Sequence, residues 1–126
     1  MCDKKDGDKL LKIMLVDDEE FCLDELTKIL SAMDGIEITG AYTNSTDGLK
    51  SAIRDGPDVA FIDVELRGIS GLDLAAMLKI QYKGMRVVLM SEKECFARNG
   101  FDIGVDDYVL KPLQRERVLK ALDRGF

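Results

Sequence analysis

A chain of 126 residues fits one domain and is long enough to bury a two-sided core. Hydrophobic residues at 46% and charged residues at 33% are ordinary for a soluble globular protein, and no apolar stretch is long enough to span a bilayer. The formal net charge of -6 argues against a domain that grips nucleic acid by itself, and the absence of histidine excludes Ser-His-Asp and Cys-His catalysis, His-ligated zinc and a histidine phosphodonor within this chain.

The first residues, Met1 to Lys9, are polar and of mixed charge and lack the apolar core of a signal peptide. Residues 1–10 are therefore expected to form a flexible extension, and the protein is expected to stay in the cytoplasm without membrane contact. Cys2, Cys22 and Cys95 have neither zinc-site nor disulfide spacing. They read as reduced thiols, with Cys22 and Cys95 filling helix faces.

Leu11 to Val16 reads as a first strand, followed by an amphipathic helix over Glu19 to Met33. Phe21, Leu23, Leu26, Ile29, Leu30 and Met33 would supply its inward face. Asp34-Gly35 marks its end, Ile36 to Tyr42 a second strand, and Asn44-Ser45 the cap of a second helix reaching Asp55 before Gly56-Pro57. Val59 to Asp63 is the third strand. A third helix runs to about Tyr82 with Leu72, Leu74, Ala75, Leu78 and Met77 inward, and Val87 to Met90 is the fourth strand; Met77, Met85 and Met90 read as core filling. A short fourth helix is expected near Lys93 to Asn99, interrupted by Gly100 and Gly104. Asp107 to Leu110 is the fifth strand and Leu113 to Arg124 the last helix. Five strand-helix units imply a parallel sheet with helices on both faces.

Polar residues stand where four of the apolar runs stop: Asp17-Asp18, Asp63, Ser91 and Lys111-Pro112. In an open α/β sheet the strand carboxyl ends share one edge, so these groups would converge. Adjacent carboxylates at a strand end are either solvated, serving as helix caps, or gathered around a cation. Asp63 ends what should be the central strand, where a charge is costly without a partner or a task. Lys111 would supply the counter-charge to Asp63, and a cis Lys111-Pro112 bond would aim it into the site; the bland alternative is a surface lysine before a helix-opening proline. Ser91 would add a hydroxyl donor. Tyr108 alone reads as a half-buried edge-strand aromatic.

From about Lys12 onward the chain resembles the receiver domain of two-component response regulators. Leu15-Val16-Asp17-Asp18-Glu19 is similar to the family's first-strand signature, Phe61 to Asp73 to its phosphoacceptor segment, and Phe101 to Pro112 to its closing segment. The resemblance implies a flavodoxin-like, doubly wound (βα)5 domain over residues 11–126 with strand order 2-1-3-4-5. It further implies that Asp63 accepts a phosphoryl group from a sensor histidine kinase. Asp17, Asp18, Asp63 and the Glu65 carbonyl would hold Mg2+, and Ser91 and Lys111 would contact the new phosphoryl oxygens. Tyr108 would turn inward as the fourth-helix face rearranges, and that face, with the fifth strand and fifth helix, is the candidate homodimer surface. The protein would then be a switch rather than an enzyme, with at most self-phosphorylation and self-dephosphorylation.

Two positions depart from the pattern. Arg67 stands where the family usually has proline, so the loop after Asp63 is expected to be less stiff, although Gly68 and Gly71 keep its turn. Glu92 stands where a very small residue is usual, putting bulk and charge beside the phosphoryl path; Lys93 would neutralise Glu92 or reach Glu65. Competing readings are weaker. An aspartyl-phosphate phosphohydrolase would need a cap region, a flavin or nucleotide module a glycine-rich phosphate loop after the first strand, and a degenerate receiver would not keep the acidic and lysine positions. The chain stops soon after its last helix, so it is expected to be the receiver part of a transcriptional regulator or, alternatively, a stand-alone receiver in a phosphorelay or acting by protein contact. DNA contact is expected to lie outside this domain.

Overall fold

Five short strands, four of them largely buried and the edge strand of residues 36–42 only partly so, set the architecture. The computed structural model describes residues 9–123; residues 1–8 of the extension expected over residues 1–10, Cys2 among them, and the end of the chain from Arg124 lie outside the described residues. In chain order the elements are β1 (Leu11–Val16), α1 (Glu20–Ser31), β2 (Ile36–Tyr42), α2 (Ser45–Asp55), β3 (Val59–Asp63), α3 (Gly71–Gln81), β4 (Arg86–Ser91), a 3-10 turn (Glu94–Phe96), α4 (Ala97–Asp102), β5 (Asp107–Leu110) and α5 (Arg115–Asp123). The sheet is parallel throughout, in the order β2-β1-β3-β4-β5. Its order reverses between β1 and β3, the place where open α/β sheets form ligand crevices.

Strand alternation divides the core in two. Met14, Val16, Ala60, Ile62, Val87 and Leu89 face α2, α3 and α4, meeting Ala52, Leu74, Ala75 and Leu78. Ile13, Leu15, Phe61, Val88 and Met90 face α1 and α5, meeting Leu23, Leu26, Leu30, Val118 and Ala121. Every residue of β3 is buried, as expected for the central strand of a sheet covered on both faces. No helix among the described residues is long and apolar enough to cross a membrane.

Several expectations need correction. Phe21 is 72% exposed: it stands two residues from Leu23, about 200° round the helix, so it points away when Leu23, Leu26 and Leu30 face the sheet. Met77, two residues after Ala75, is exposed for the same reason, so that of Met77, Met85 and Met90 only the last two fill the core, alongside Met14. Cys22 is half-buried on α1, but Cys95 is exposed in the 3-10 turn and fills no helix face. The fourth helix runs to Asp102, through Gly100. That glycine is buried where a Cβ would come within 2.8 Å of the Leu89 side chain, so it lets α4 approach the sheet instead of breaking the helix. The last helix begins at Arg115, two residues later than Leu113.

At α2 the expected punctuation is present: the Asn44 side chain accepts from the Asp47 N–H, and Gly56 closes the helix in the left-handed region. Gly71 opens α3 pressed against the end of β3, where a Cβ would lie 1.9 Å from the Asp63 carbonyl oxygen. This contact packs the start of α3 against the backbone that carries Asp63. Gly71→Ala should therefore lower unfolding free energy by about 2–4 kcal/mol in urea denaturation, while Gly84→Ala, with open space around it, should stay within about 0.5 kcal/mol of the parent.

Candidate functional site

Strand register places the site. Val16 lies opposite Ile62, Asp63 opposite Met90 and Ser91 opposite Leu110, so the strand ends form one edge. The ladder continues past them: the Asp17 N–H donates to the Tyr42 carbonyl, that of Val64 to Met90 and that of Lys111 to Ser91, at 2.8 to 3.0 Å. These bonds hold the polar residues in place by their backbones.

Asp17, Asp18 and Asp63 each offer a carboxylate oxygen, and these atoms lie within 4.8 Å of one another. Asp17 is wholly buried and Asp63 5% exposed. Asp17 Oδ1 accepts the Glu19 N–H at 2.9 Å, at the mouth of α1. Glu19 occupies the N-cap position without a side-chain capping bond, so of the two adjacent carboxylates it is Asp17 that accepts a backbone N–H at the start of α1. The Lys111 Nζ lies 2.7 Å from Asp17 Oδ2, 3.5 Å from Asp63 Oδ1 and 4.0 Å from Glu19 Oε1. Its main partner is thus Asp17, where the sequence suggested Asp63. Among the described residues no donor other than Lys111 reaches Asp17 Oδ2. The Lys111-Pro112 bond is cis.

A polar cleft of about 310 Å³ opens over the cluster, lined by Asp18, Glu19, Asp63, Glu65, Glu92 and Lys111. Glu92 stands on this wall, as its position after Ser91 implied. Glu65 turns its side chain to Lys93, 3.3 Å away, which decides between the two partners considered for that lysine. Ser91 is buried at the end of β4, and its Oγ accepts the Lys93 N–H at 2.9 Å, leaving its own O–H to donate elsewhere. Tyr108 is buried, not half-buried, and its hydroxyl donates to the Lys93 carbonyl. Arg67 brings a contact that the sequence did not reveal, its Nε lying 3.6 Å from Asp18 Oδ2.

The charges do not balance internally. Three carboxylates against one buried ammonium leave an excess of two negative charges beneath the surface, with Arg67 outside on the rim. Hard oxygen donors with that residual charge fit a divalent cation such as Mg2+. Burial first, then repulsion from Asp17, pushes the Asp63 carboxyl up to about 6, against the opposing pull of Lys111. For Lys111, burial works to lower the ammonium's proton affinity, but the contacts with Asp17 and Asp63 outweigh it and hold the group above its ordinary value.

The response regulator receiver domain model matches residues 13–123. Over 115 residues, 91% of this chain, the sequence is 35% identical to an uncharacterized response regulatory protein of Vibrio cholerae and covers 48% of it. It is 33% identical to the transcriptional regulatory protein BtsR of Escherichia coli over 91% of this chain and 48% of BtsR. For the sensory transduction protein LytT of Bacillus anthracis the identity is 30%, over 91% and 47%. The chain spans about half the length of these curated relatives. Among solved structures, the response regulatory domain of mrkE from Klebsiella pneumoniae superposes with a TM-score of 0.82 at 26% identity, covering 88% of this chain and 91% of that one. A chain of the CheX-CheY-BeF3-Mg+2 complex from Borrelia burgdorferi gives 0.82 at 20% identity, covering 92% of this chain and 94% of that one, a likeness of fold.

The raised Asp63 value has a definite sign in stability. Between its ordinary value of 3.8 and about 6, the folded protein keeps a proton that the unfolded chain has released, so stability falls as pH rises through that window. In EDTA at pH 7.5, Asp63→Asn should be more stable than the parent by about 1–2 kcal/mol, after allowance for screening at the open cleft. Urea titrations should show the difference closing as pH falls toward 4, and a constant difference would mean that ionisation of Asp63 is not its source.

Proposed function

The chain belongs to the response regulator receiver domain family, and on that premise we propose that Asp63 accepts a phosphoryl group from a phosphohistidine on a sensor kinase. The observation that carries this assignment is the position of Asp63: buried, lining the cleft, and beside the Asp17 and Asp18 carboxylates and the Lys111 ammonium. Its carboxylate oxygen attacks phosphorus in line, the P–N bond of the phosphohistidine breaks, and the leaving imidazole nitrogen keeps the electron pair.

Asp17, Asp18, Asp63 and the Glu65 carbonyl would hold Mg2+, whose contribution is to offset charge on the transferring group. Lys111, already 3.5 Å from Asp63, neutralises an oxygen of the aspartyl phosphate, and the Ser91 hydroxyl donates to another. Lys93 links the site outward: its N–H binds Ser91, its carbonyl receives the Tyr108 hydroxyl, and its ammonium meets Glu65. Tyr108 thereby joins Ser91 to the α4, β5 and α5 face, where Phe101 and Leu110 are exposed. That face is our proposed homodimer surface. Arg117 is committed within it to a bidentate pair with Asp107, at 2.8 and 2.9 Å, so exposed apolar side chains are the better candidates for self-contact.

BtsR is a transcriptional regulatory protein, and the share of its length covered here supports a role for this chain as the receiver part of such a regulator, with DNA contact made elsewhere. Beyond acquiring and losing its own phosphoryl group, the domain has no catalytic task in this reading. With Mg2+ and acetyl phosphate, the parent should gain one phosphoryl group by intact mass, labile to hydroxylamine, and EDTA or Asp63→Asn should abolish the gain. Undiminished labelling of Asp63→Asn would refute the assignment.

Glu92 supplies a second test. Its carboxylate on the cleft wall repels an incoming phosphate dianion, so Glu92→Ala should speed phosphorylation by acetyl phosphate about three- to tenfold at low ionic strength, with a smaller gain in high salt. Equal rates for variant and parent would remove Glu92 as a barrier.

A further inference from the structure

Two cations from different loops engage the acidic cluster, and they differ in one respect. Lys111, on Asp17, has a side chain 7% exposed and is enclosed in the site. Arg67, on Asp18, is 86% exposed and reaches the cluster from outside. The Arg67 backbone is nevertheless held, because the buried Ser45 hydroxyl donates to the Arg67 carbonyl at 3.4 Å and Gly68 follows with a positive φ of 77°. An anchored backbone beneath a solvent-exposed guanidinium lets that group engage and leave Asp18 without moving the loop.

We propose that Arg67 is a releasable counter-ion of the metal site, pairing with Asp18 in the metal-free protein and giving way when Mg2+ takes that carboxylate, so that it sets the Mg2+ concentration the domain requires. The proposal rests on the reading of Asp17, Asp18 and Asp63 as Mg2+ ligands. A divalent ion ligated by Asp18 would stand within a few ångströms of the guanidinium, and like charges at that distance repel. The carboxylate must also exchange one cation for the other. Both effects weaken Mg2+ binding, and both are largest at low ionic strength, where screening is least.

The test is a MgCl2 titration of the unphosphorylated protein, followed by amide shifts in 1H-15N NMR spectra, since the chain has no tryptophan to report binding by fluorescence. Arg67→Ala should bind Mg2+ about two- to fivefold more tightly than the parent at low ionic strength, with the difference shrinking as NaCl is added. Arg67→Lys should remain closer to the parent. Lys28→Ala removes the same charge from an exposed position in the last turn of α1, toward the opposite sheet edge, and should leave the affinity unchanged. If the parent shows no Mg2+-dependent shift at Asp17, Asp18 or Asp63, the metal site itself fails and the proposal with it. If the parent binds but Arg67→Ala does not bind more tightly, or Lys28→Ala tightens binding equally, the role of Arg67 alone is overturned.

Discussion

Buried charge of one sign is the constraint around which this molecule is arranged. Asp17 and Asp63 are removed from water at the same strand edge, and Asp18 joins them with partial exposure. Two unit charges about 4 Å apart interact by about 4 kcal/mol at an effective dielectric of about 20, a large fraction of the 5–15 kcal/mol that typically stabilises a domain. Lys111 cannot neutralise the whole cluster, and burial, followed by repulsion from Asp17, raises the proton affinity of Asp63 against its pull. The apolar β3 strand and its ladder to β1 and β4 keep these groups together despite their repulsion. An edge with residual negative charge and fixed backbone positions is prepared for a cation, and then for an anion brought with it.

The same edge has a route to the rest of the surface. Lys93 takes part in three interactions with Ser91, Glu65 and Tyr108, using its amide, its side chain and its carbonyl. In the proposed switch, a phosphoryl group that recruits the Ser91 hydroxyl alters the neighbour of Lys93, and the carbonyl that anchors Tyr108 belongs to that residue. Coupling of this kind needs no long chain of contacts. Gly100 keeps α4 close to Leu89 and Tyr108, so a change in the tyrosine's packing is felt directly by the helix. What a receiver of this construction can transmit is therefore a shift in the preference between two packings of one face.

The sheet and the cluster were legible in the sequence because both depend on short-range rules. β3 and β5 have the bounds expected of them, since buried parallel strands are apolar runs with abrupt polar ends. Asp17, Asp18, Asp63 and Lys111 come together because each follows such a run. The misreadings have equally local causes. Composition points Phe21 and Met77 inward although helix geometry turns them outward, and Gly100 reads as an interruption where tertiary packing makes it a contact. Pairing within the cluster was less accessible: that Lys111 sits nearer Asp17 than Asp63, and that Arg67 reaches Asp18, depends on loop geometry over separations that no periodicity encodes. The departure of Arg67 from the family pattern drew attention to the residue, but as a matter of loop stiffness.

Rim and interior are under different physical restrictions, and this suggests where receivers of one fold can differ. Asp17, Asp63 and the Lys111 side chain are enclosed: replacing Asp17 or Lys111 leaves a buried charge without its closest partner, a change that commonly costs several kcal/mol, whereas replacing Asp63 by a neutral residue leaves the pair of Lys111 with Asp17 in place and relieves repulsion. Glu65, Arg67, Glu92 and Lys93 are exposed, where substitutions usually shift stability by less than about 0.5 kcal/mol. Yet Glu65 and Glu92 line the cleft, Arg67 contacts Asp18, and Lys93 contacts Glu65. Their charges act on whatever enters, with almost no consequence for folding. Rates and metal requirement can thus drift at the rim while the enclosed groups stay the same, and in this chain the rim carries alternating charge, Arg67 beside Asp18 and Lys93 beside Glu65, around a cluster that is itself strongly acidic.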